Sequence, residues 1–437
     1  MKRILIAISL TICHFSSSPA EAQPLSLQDC RRMALEYNEQ IKTANNAVEK
    51  ARLNRQIAFA QYLPKVDGSL TGIHMKDQDV IGMSLQTRGT YLAGINVTLP
   101  LYAGGQLTAA NRLARIGQAV SEEQQRKARM QVIADVDNAY YTLISVRSKV
   151  QMLEAYSRQM QGLYDQVQLS VRAQLATEND LLRIATKQNE IHYQLQKARN
   201  GEQLCQLALA NVIGTSFDQT IIPTDTLLSA TAPQQLSEDI TDRPELHLLQ
   251  QQVKASEQQV KMARANYLPT VALMGGYSYY DRLKLRGGLP LPNGSRLDVD
   301  ETFNGGRPMA LLSVNVPIFH WGAELKKVKK AKLDLNDSQL QLQQYERGMR
   351  IEVRQAVQNL TDGQCMVETA TVGQQQADEN LRVMRQKYDN QLCTMTDLLD
   401  AQSQWQQARS NLIEAQTQLK IYETEYLRVT GRLAEKD

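Results

Sequence analysis

The segment Val97–Tyr102, with the sequence VTLPLY, recurs 217 residues later as Val314–Phe319, with the sequence VNVPIF. The same spacing of 217 residues relates further matches downstream: Gly105 and Gly322, Gln174-Leu175 and Gln391-Leu392, Asp180 and Asp397, and Gly214 and Gly431. One matched segment can arise by chance, but a constant spacing over this distance does not. The sequence therefore predicts that the chain consists of two copies of one structural unit.

A second repeated segment lies upstream and helps to place the boundaries of the copies. Tyr62–Pro64 recurs 205 residues later as Tyr267–Pro269, so the second copy has 12 more residues between this segment and Pro317 than the first has before Pro100, which indicates an insertion in a connecting loop. Lys2 and Arg3 precede a short apolar run and a small-residue cleavage site, which is typical of a signal peptide. We predict a signal peptide, a first repeat, a linker, a second repeat and a tail, at residues 1–22, 23–214, 215–240, 241–431 and 432–437.

Changes in hydrophobic period predict the order of elements within each copy. Apolar residues recur at helical spacing over residues 25–61 and then alternate with polar residues, which predicts strands at 66–72, 93–99 and, in the second copy, 310–316. The glycine- and proline-rich residues 286–294 are predicted to form an exposed loop.

Proline is absent from the region after each second strand, and this predicts two long helices, over residues 106–169 and 323–388. The first would span about 64 residues, or roughly 96 Å. Asn179 and Thr396 are predicted to cap the helices that return from these long ones. The predicted fold class is therefore α+β, with two tandem repeats of helix, strand, strand, long helix and returning helix.

Composition excludes several classes of protein. The chain has 49 basic and 46 acidic residues, a balance unlike that of proteins that bind nucleic acid through phosphate contacts. The mean hydropathy of −0.41 is too low for a polytopic helical membrane protein. Histidines are scattered and no phosphate-binding loop is present, so we predict no enzyme activity and no catalytic, cofactor or metal site. The cysteines after the signal peptide, at positions 30, 205, 365 and 393, are predicted to be unpaired thiols.

One chain cannot supply the packing partners and the number of strands that the predicted elements need. A helix near 100 Å must pack along neighbours of similar length, as in a coiled coil. Four strands cannot close a lipid-spanning barrel, because the smallest need about eight. Two chains would supply eight strands around a filled interior, whereas three would supply twelve around an aqueous lumen. On this ground we favour a homotrimer.

The chain resembles the TolC family of outer-membrane efflux proteins. The resemblance rests on the two Tyr-Leu-Pro segments, on residues 97–105 and 314–322, and on residues 388–402, and it covers nearly all of the chain after the signal peptide. It implies a trimer with a twelve-stranded β-barrel in the outer-membrane lipid and a long α-helical coiled-coil tunnel extending into the periplasm. It also implies docking to a periplasmic adaptor and an inner-membrane pump, as the passive exit duct of a tripartite efflux or type I secretion system.

The resemblance also implies which residues close the periplasmic aperture. The family's ring of aspartates aligns with Asp397 and Asp400, and a tyrosine of its closing network aligns with Tyr388. Three copies of each aspartate would attract cations and raise one another's pKa values. Asp397 could instead serve only the helix N-terminus, which is the role we favour for Asp180, its counterpart in the first copy. The basic residue that accompanies the family's tyrosine is Cys393 here, and its tip glycine is replaced by Gln174 and Gln391.

Four prolines are predicted to mark the junction between barrel and tunnel: Pro64, Pro100, Pro269 and Pro317. We expect Pro100 and Pro317 to lie where a strand becomes a helix, because a missing N–H is tolerated there. Several tyrosines lie near the strand ends. They could form an aromatic belt at the membrane interface, or they could reflect only the general preference of tyrosine for strands: Tyr91, Tyr102, Tyr277, Tyr279 and Tyr280. The alternative to a duct is a soluble periplasmic coiled-coil adaptor with a small β domain.

Overall fold

The computed structural model describes residues 23–74, 78–80, 83–86, 90–217, 221–225, 236–290 and 295–433. The predicted signal peptide, parts of the predicted linker and the last four residues of the predicted tail lie outside these ranges. The described strands are β1 Gln23–Leu25, β2 Lys65–Ile73, β3 Gln78–Val80, β4 Met83–Gln86, β5 Thr90–Ala103, β6 Ile221–Pro223, β7 Thr270–Pro290 and β8 Arg296–Asn315. The described helices are α1 Leu27–Tyr37, α2 Glu39–Ala60, α3 Gln106–Arg172, α4 Glu178–Ile213, α5 Pro244–Ala265, α6 Ala323–Asp389 and α7 Met395–Val429.

Two helices of 67 residues dominate the chain. α3 and α6 begin at Gln106 and Ala323, where the sequence predicts them, and end at Arg172 and Asp389. At 1.5 Å per residue, each is about 100 Å long. Neither contains a proline, so no residue interrupts the ladder of backbone hydrogen bonds. The returning helices α4 and α7 have 36 and 35 residues.

The prediction of one continuous helix over residues 25–61 is wrong, because the chain breaks at Asn38. The backbone of Asn38 is extended, with φ −63° and ψ 134°. Its side chain accepts a hydrogen bond from the Gln40 N–H at 2.8 Å and donates one to the carbonyl oxygen of Val212 at 2.7 Å. Asn38 thereby ends α1 and supports the start of α2, which hydrophobic spacing alone does not reveal.

The four long strands form one antiparallel sheet in the order β2-β5-β7-β8. β2 pairs with β5 from Lys65 opposite Thr98 to Ile73 opposite Thr90. The short strand β4 pairs with the far end of β7, and β3 pairs with β4. Within the described residues, β2 has β5 as its one neighbour and β8 has β7, so both are edge strands.

Two predictions about the strands are wrong. Residues 286–290, predicted as loop, belong to β7 and pair with residues 296–300 of β8, because the ladder supplies their hydrogen bonds despite their glycines. Residues 291–294 of that predicted loop lie outside the described residues. Pro100 does not lie where a strand becomes a helix. It lies inside β5, which runs on to Ala103 past a β-bulge that absorbs the missing N–H.

The chain divides into two compact units. One comprises residues 1–43, 126–243 and 349–437, and the other comprises residues 44–125 and 244–348. The second unit contains the sheet of long strands. The first unit contains the turns that follow α3 and α6 and a hydrophobic core of residues from α1, α2, α3, α4 and β6: Cys30, Ala34, Ile41, Val132, Val136, Tyr140, Leu143, Ile144, Leu209, Ala210, Ile213 and Ile221.

Candidate functional site

The predicted aperture residues lie around two helical turns with the same hydrogen bonding. After α3, the N–H of Gln174 donates to the carbonyl oxygen of Val171 at 3.0 Å, and that of Leu175 donates to Ser170 at 2.8 Å. After α6, Gln391 donates to Tyr388 at 2.9 Å and Leu392 to Lys387 at 2.8 Å. This pair of bonds is the Schellman motif, which satisfies the last carbonyls of a helix.

Both turns place a glutamine where the motif favours glycine. Gln174 has φ 56° and Gln391 has φ 60°. An L-residue in this left-handed conformation brings its Cβ close to the backbone, at a cost of about 1–2 kcal/mol. The turns therefore keep the backbone that a glycine would adopt while carrying a side chain.

The predicted helix caps are wrong by two positions in both copies. Thr177 and Thr394, rather than Asn179 and Thr396, are the N-caps of α4 and α7. Each threonine accepts a hydrogen bond from the backbone N–H three residues later, and that residue's carboxylate accepts one from the threonine N–H, which forms a capping box. A threonine followed three residues later by an acidic residue satisfies two N–H groups at once, whereas Asn179 and Thr396 have no such partner in the motif.

Asp397 is the acidic member of the capping box at the start of α7. Its Oδ2 atom accepts hydrogen bonds from the Thr394 hydroxyl at 2.7 Å and from the Thr394 N–H at 2.9 Å. These bonds stabilise the ionised carboxylate and hold the pKa of Asp397 below its usual value. Asp180 has the same role in α4, where it accepts from the Thr177 hydroxyl at 2.7 Å. The capping role, which sequence reasoning left open for Asp397, is thus present in both copies.

Asp397 and Asp400 are both exposed, and they lie three residues apart in the first turns of α7. Side chains at this spacing neighbour one another on one face of a helix. The buried side of the same turns is formed by Met395 and Leu398, which are 3% and 1% exposed. The sequence of α7 therefore directs its two aspartates away from the core of this chain.

Tyr388, the predicted partner of the aspartates, packs against a hydrophobic cluster built from both copies: Tyr156, Met160, Val167, Ile184, Ile191 and Met395. Burial raises the pKa of Tyr388, and the negative charge of Asp180 raises it further. The structure thus brings Tyr388 close to Asp180 in the first copy.

Cys393 stands at the position where the resemblance implies a basic residue. Its side chain is half-buried, and its Sγ atom lies 3.5 Å from the carbonyl oxygen of Met384, to which it donates. Burial, followed by the charge of Asp397, raises the pKa of the thiol. A neutral thiol provides no positive charge, so the family's basic latch is not reproduced at this position.

Sequence reasoning missed Arg183. Its guanidinium donates a hydrogen bond to the hydroxyl of Thr396 and so links the beginnings of α4 and α7. The helix dipole acts mainly within the first turn, so a basic residue in the second turn of α4 gives no local sign of this contact.

The four predicted junction prolines lie at different positions relative to the strands. Pro64 and Pro269 directly precede β2 and β7, and Pro317 follows the end of β8 by two residues. These three lie beside strand ends, whereas Pro100 lies inside β5 as described above, and their role at a junction between barrel and tunnel stays a prediction.

The described residues lack two kinds of feature. They contain no group of three or more His, Cys, Asp or Glu side chains placed to hold a metal ion. None of their helices combines the length and the apolar composition that a membrane-crossing helix needs.

Comparison with known proteins identifies the family. The pattern of the outer membrane efflux proteins matches residues 31–215 and 236–432, which together make up most of the chain. The chain belongs to this family. Its relatives include the solvent efflux pump outer membrane protein SrpC of Pseudomonas putida, which is 22% identical over 403 residues that cover 88% of this chain and 80% of SrpC.

Solved structures of outer-membrane channels share the fold. A structure of CusC matches with a TM-score of 0.78 at 18% identity, over 93% of this chain and 92% of CusC. The outer membrane protein VceC of Vibrio cholerae matches with a TM-score of 0.77 at 17% identity, over 93% and 96% of the two chains. The predicted resemblance to the TolC family is therefore confirmed, as is the predicted location in the outer membrane.

The family also confirms the predicted function in its general form. Its members are outer-membrane efflux channels, so this chain is a transport channel protein of the outer membrane. The alternative, a soluble periplasmic adaptor, is not favoured by any of these comparisons.

Proposed function

We propose that three copies of the chain form a twelve-stranded β-barrel in the outer membrane and a coiled-coil α-helical tunnel in the periplasm. The observation that carries this proposal is the open sheet, whose edges are β2 and β8. Each edge presents backbone N–H and C=O groups, and unpaired groups of this kind are too costly in lipid. Pairing β2 of one copy with β8 of the next closes the sheet without a free edge.

The apolar surface of the sheet supports the same proposal. Val66 and Leu70 on β2, Ile95 on β5, and Leu312 and Val314 on β8 are each more than half exposed. Such a surface is stable against lipid or against further protein, but is unfavourable in water. Three copies then supply the strands that an aqueous lumen requires.

Two measurements test this proposal together: the mass of the purified assembly and the conductance of the pores that it forms. The purified protein in detergent should behave as three associated chains, and it should form ion-conducting pores in planar bilayers. Removing β2 pairing with Ser69→Pro, which places a proline in the edge strand, should reduce both the trimer fraction and the number of pores. A monomer that stays folded without detergent and forms no pore would overturn the proposal.

In this assembly we assign the aperture to the turns that follow α3 and α6. Three copies of Asp397 and Asp400 would line the constriction, with Tyr388 packed behind them and Asp180 capping α4. Transport through the pore is passive, and selection at the constriction is electrostatic. Energy comes from an inner-membrane pump.

We assign the contact with a periplasmic adaptor to the same turns. Leu175 and Leu392 are 72% and 75% exposed at the matching position of each turn, and apolar side chains in this setting suit a protein partner. Leu175→Asp with Leu392→Asp should abolish recovery of adaptor and pump in crosslinking pull-downs while pore conductance persists. Recovery at the wild-type level would place the adaptor contact elsewhere.

A further inference from the structure

The junction between β8 and α6 exposes a group of large apolar side chains. Ile318 is 92% exposed, Phe319 67% and Trp321 86%. The rings of Phe319 and Trp321 meet edge to face, with their centroids 5.1 Å apart. The described residues leave these three side chains uncovered, and a group of large exposed apolar side chains is unfavourable in water.

The backbone at this junction shows that the two copies use the same position differently. Gly104 and Trp321, at matching positions, are both in the left-handed region, with φ 59° and 52°. A Cβ at Gly104 would lie 2.5 Å from the carbonyl oxygen of Ala265, so only glycine fits there. Trp321 is strained in this conformation and gains few contacts from its own chain. The first copy therefore uses the position for close packing, and the second uses it to present an indole.

A cluster of positively charged side chains lies at the start of α6, directly after this apolar group. Five lysines, all exposed, lie within its first three turns: Lys326, Lys327, Lys329, Lys330 and Lys332. Lys327 is paired with Glu324 at 2.9 Å, and none of the other four is within ion-pair distance of a described carboxylate. The matching positions of the first copy hold two arginines and three apolar residues: Ala109, Ala110, Arg112, Leu113 and Arg115.

We propose that this junction binds the periplasmic leaflet of the outer membrane and selects anionic phospholipids. Ile318, Phe319 and Trp321 enter the interface, where an indole keeps its N–H near water and its ring among the acyl chains. The unpaired lysines, Lys326, Lys329, Lys330 and Lys332, hold the phosphate groups of anionic headgroups. The proposal rests on the proposed function, because the sheet that ends at Asn315 must lie in the membrane.

Charge decides which lipid surface fits. Zwitterionic headgroups offer no net charge to the lysines, so apolar insertion alone would not discriminate between lipids. Anionic headgroups complement four lysines without carboxylate partners, and this attraction weakens with salt because it acts within a Debye length. The partner is therefore a bilayer surface containing phosphatidylglycerol or a lipid of the same charge.

Tryptophan fluorescence can test insertion directly, because the chain contains only two tryptophans, Trp321 and Trp405. In Trp405→Phe the emission reports on Trp321 alone. With the full-length protein in phosphatidylcholine vesicles, lipids brominated near the headgroup end of the acyl chains should quench this emission. The matched control is Trp321→Phe, in which the remaining Trp405 packs against the helical core and should not be quenched.

The same reporter measures headgroup preference. At equal mole fraction, brominated phosphatidylglycerol should quench Trp321 with a relative binding constant several-fold above that of brominated phosphatidylcholine. Changing the four unpaired lysines to glutamine should return this ratio to about one. The control variant changes four exposed lysines elsewhere to glutamine and should keep the wild-type ratio: Lys42, Lys50, Lys197 and Lys254.

The outcomes separate this proposal from the proposed function. If the protein does not float with vesicles and forms no pores, both fall. If it forms pores but brominated lipids leave Trp321 emission unchanged, insertion of the junction is wrong and the duct stands. If Trp321 is quenched equally by both lipids in the wild-type protein, selection of anionic lipid is wrong.

Discussion

Arg31 holds the fully buried carboxylate of Asp137 through two hydrogen bonds, from Nε to Oδ1 at 2.8 Å and from a terminal guanidinium nitrogen to Oδ2 at 2.7 Å. The hydroxyl of Thr424 donates a third bond to the same Oδ2 atom at 2.8 Å. Three helices, α1, α3 and α7, are thus joined at one carboxylate. Charges buried in this way are stable only while every partner is present.

Removal of this carboxylate should destabilise the helical unit strongly. We expect Asp137→Ala to lower the free energy of unfolding by about 3–5 kcal/mol, since it removes the buried carboxylate that pairs with the mostly buried Arg31 and accepts from Thr424. Chemical denaturation followed by circular dichroism measures the change. Asp165→Ala, on an exposed carboxylate of the same helix, is the control and should have little effect. Equal stability of the two variants would show that the buried ion pair contributes nothing specific.

Neutralising the two exposed aspartates of α7 should change ion selectivity. In the proposed trimer, Asp397→Asn with Asp400→Asn removes the negative charge of the constriction, so the preference of single channels for cations over anions should fall. Reversal potentials in asymmetric salt across planar bilayers measure this preference. Glu178→Gln, at an exposed position in the first turn of α4, is the control. Unchanged selectivity would remove the aspartates from the constriction and leave the fold intact.

The capping role of Asp397 predicts a dependence on acid pH. Within one chain, the bonds from Thr394 hold its folded-state pKa below the ordinary value of 3.8, so ionisation stabilises the start of α7 above that pH and this contribution is lost as the pH falls through the folded-state pKa. Protection of the first amides of α7 against hydrogen exchange should therefore decrease below about pH 4. In Asp397→Asn, which can still accept a hydrogen bond, protection should not follow this titration. The same acid loss in both proteins would assign it to another group.

Replacing the strained glutamines by glycine should stabilise the turns. Gln174→Gly and Gln391→Gly relieve a left-handed conformation, and the greater freedom of glycine in the unfolded chain offsets part of the gain. We expect each to raise the free energy of unfolding by about 0.5–1 kcal/mol, measured by thermal denaturation. Gln386→Gly, inside α6, should instead destabilise by about 1 kcal/mol. Loss of stability at the turns would indicate that the glutamine side chains make contacts in the assembly.

The four free cysteines of the described residues should differ widely in reactivity. Cys30 is fully buried, and burial raises the pKa of its thiol to about 12, whereas Cys365 is exposed. Because the thiolate is the reactive form, a maleimide should label Cys365 within minutes and Cys30 only after unfolding. Mass spectrometry of peptides measures both. Cys365→Ser should remove the fast reaction, and fast labelling of Cys30 in the folded protein would contradict its burial.

The sequence predicts the long helices well because their signal is simple. Without proline and with an apolar stripe, residues after 106 and 323 have no alternative to a helix. The predicted ends fall short by three residues at Arg172 and by one at Asp389, because Gln174 and Gln391 complete turns in which the sequence offers no glycine. The predicted caps differ from the observed ones because a threonine and the aspartate three residues later act together as one capping motif.

The strands and the site depend on contacts that sequence patterns do not contain. Gly287 and Gly288 favour a loop when considered locally, but pairing with β8 keeps them in a strand. The approach of Tyr388 to Asp180 joins residues from different copies and follows from the packing of four helices. The resemblance indicates which residues belong to the aperture. The neighbours of these residues, including Arg183, follow only from the fold.

The equal lengths of α3 and α6 restrict how such a chain can change. One inserted residue within α6 would rotate every later side chain by about 100° and advance it by about 1.5 Å, so Tyr388 and the capping box at Thr394 would no longer meet their partners. An insertion of seven residues nearly restores the orientation, but it displaces one turn relative to the other unless α3 lengthens as well. We therefore expect tolerated length variants to carry paired insertions, close to whole heptads, in both halves of the gene.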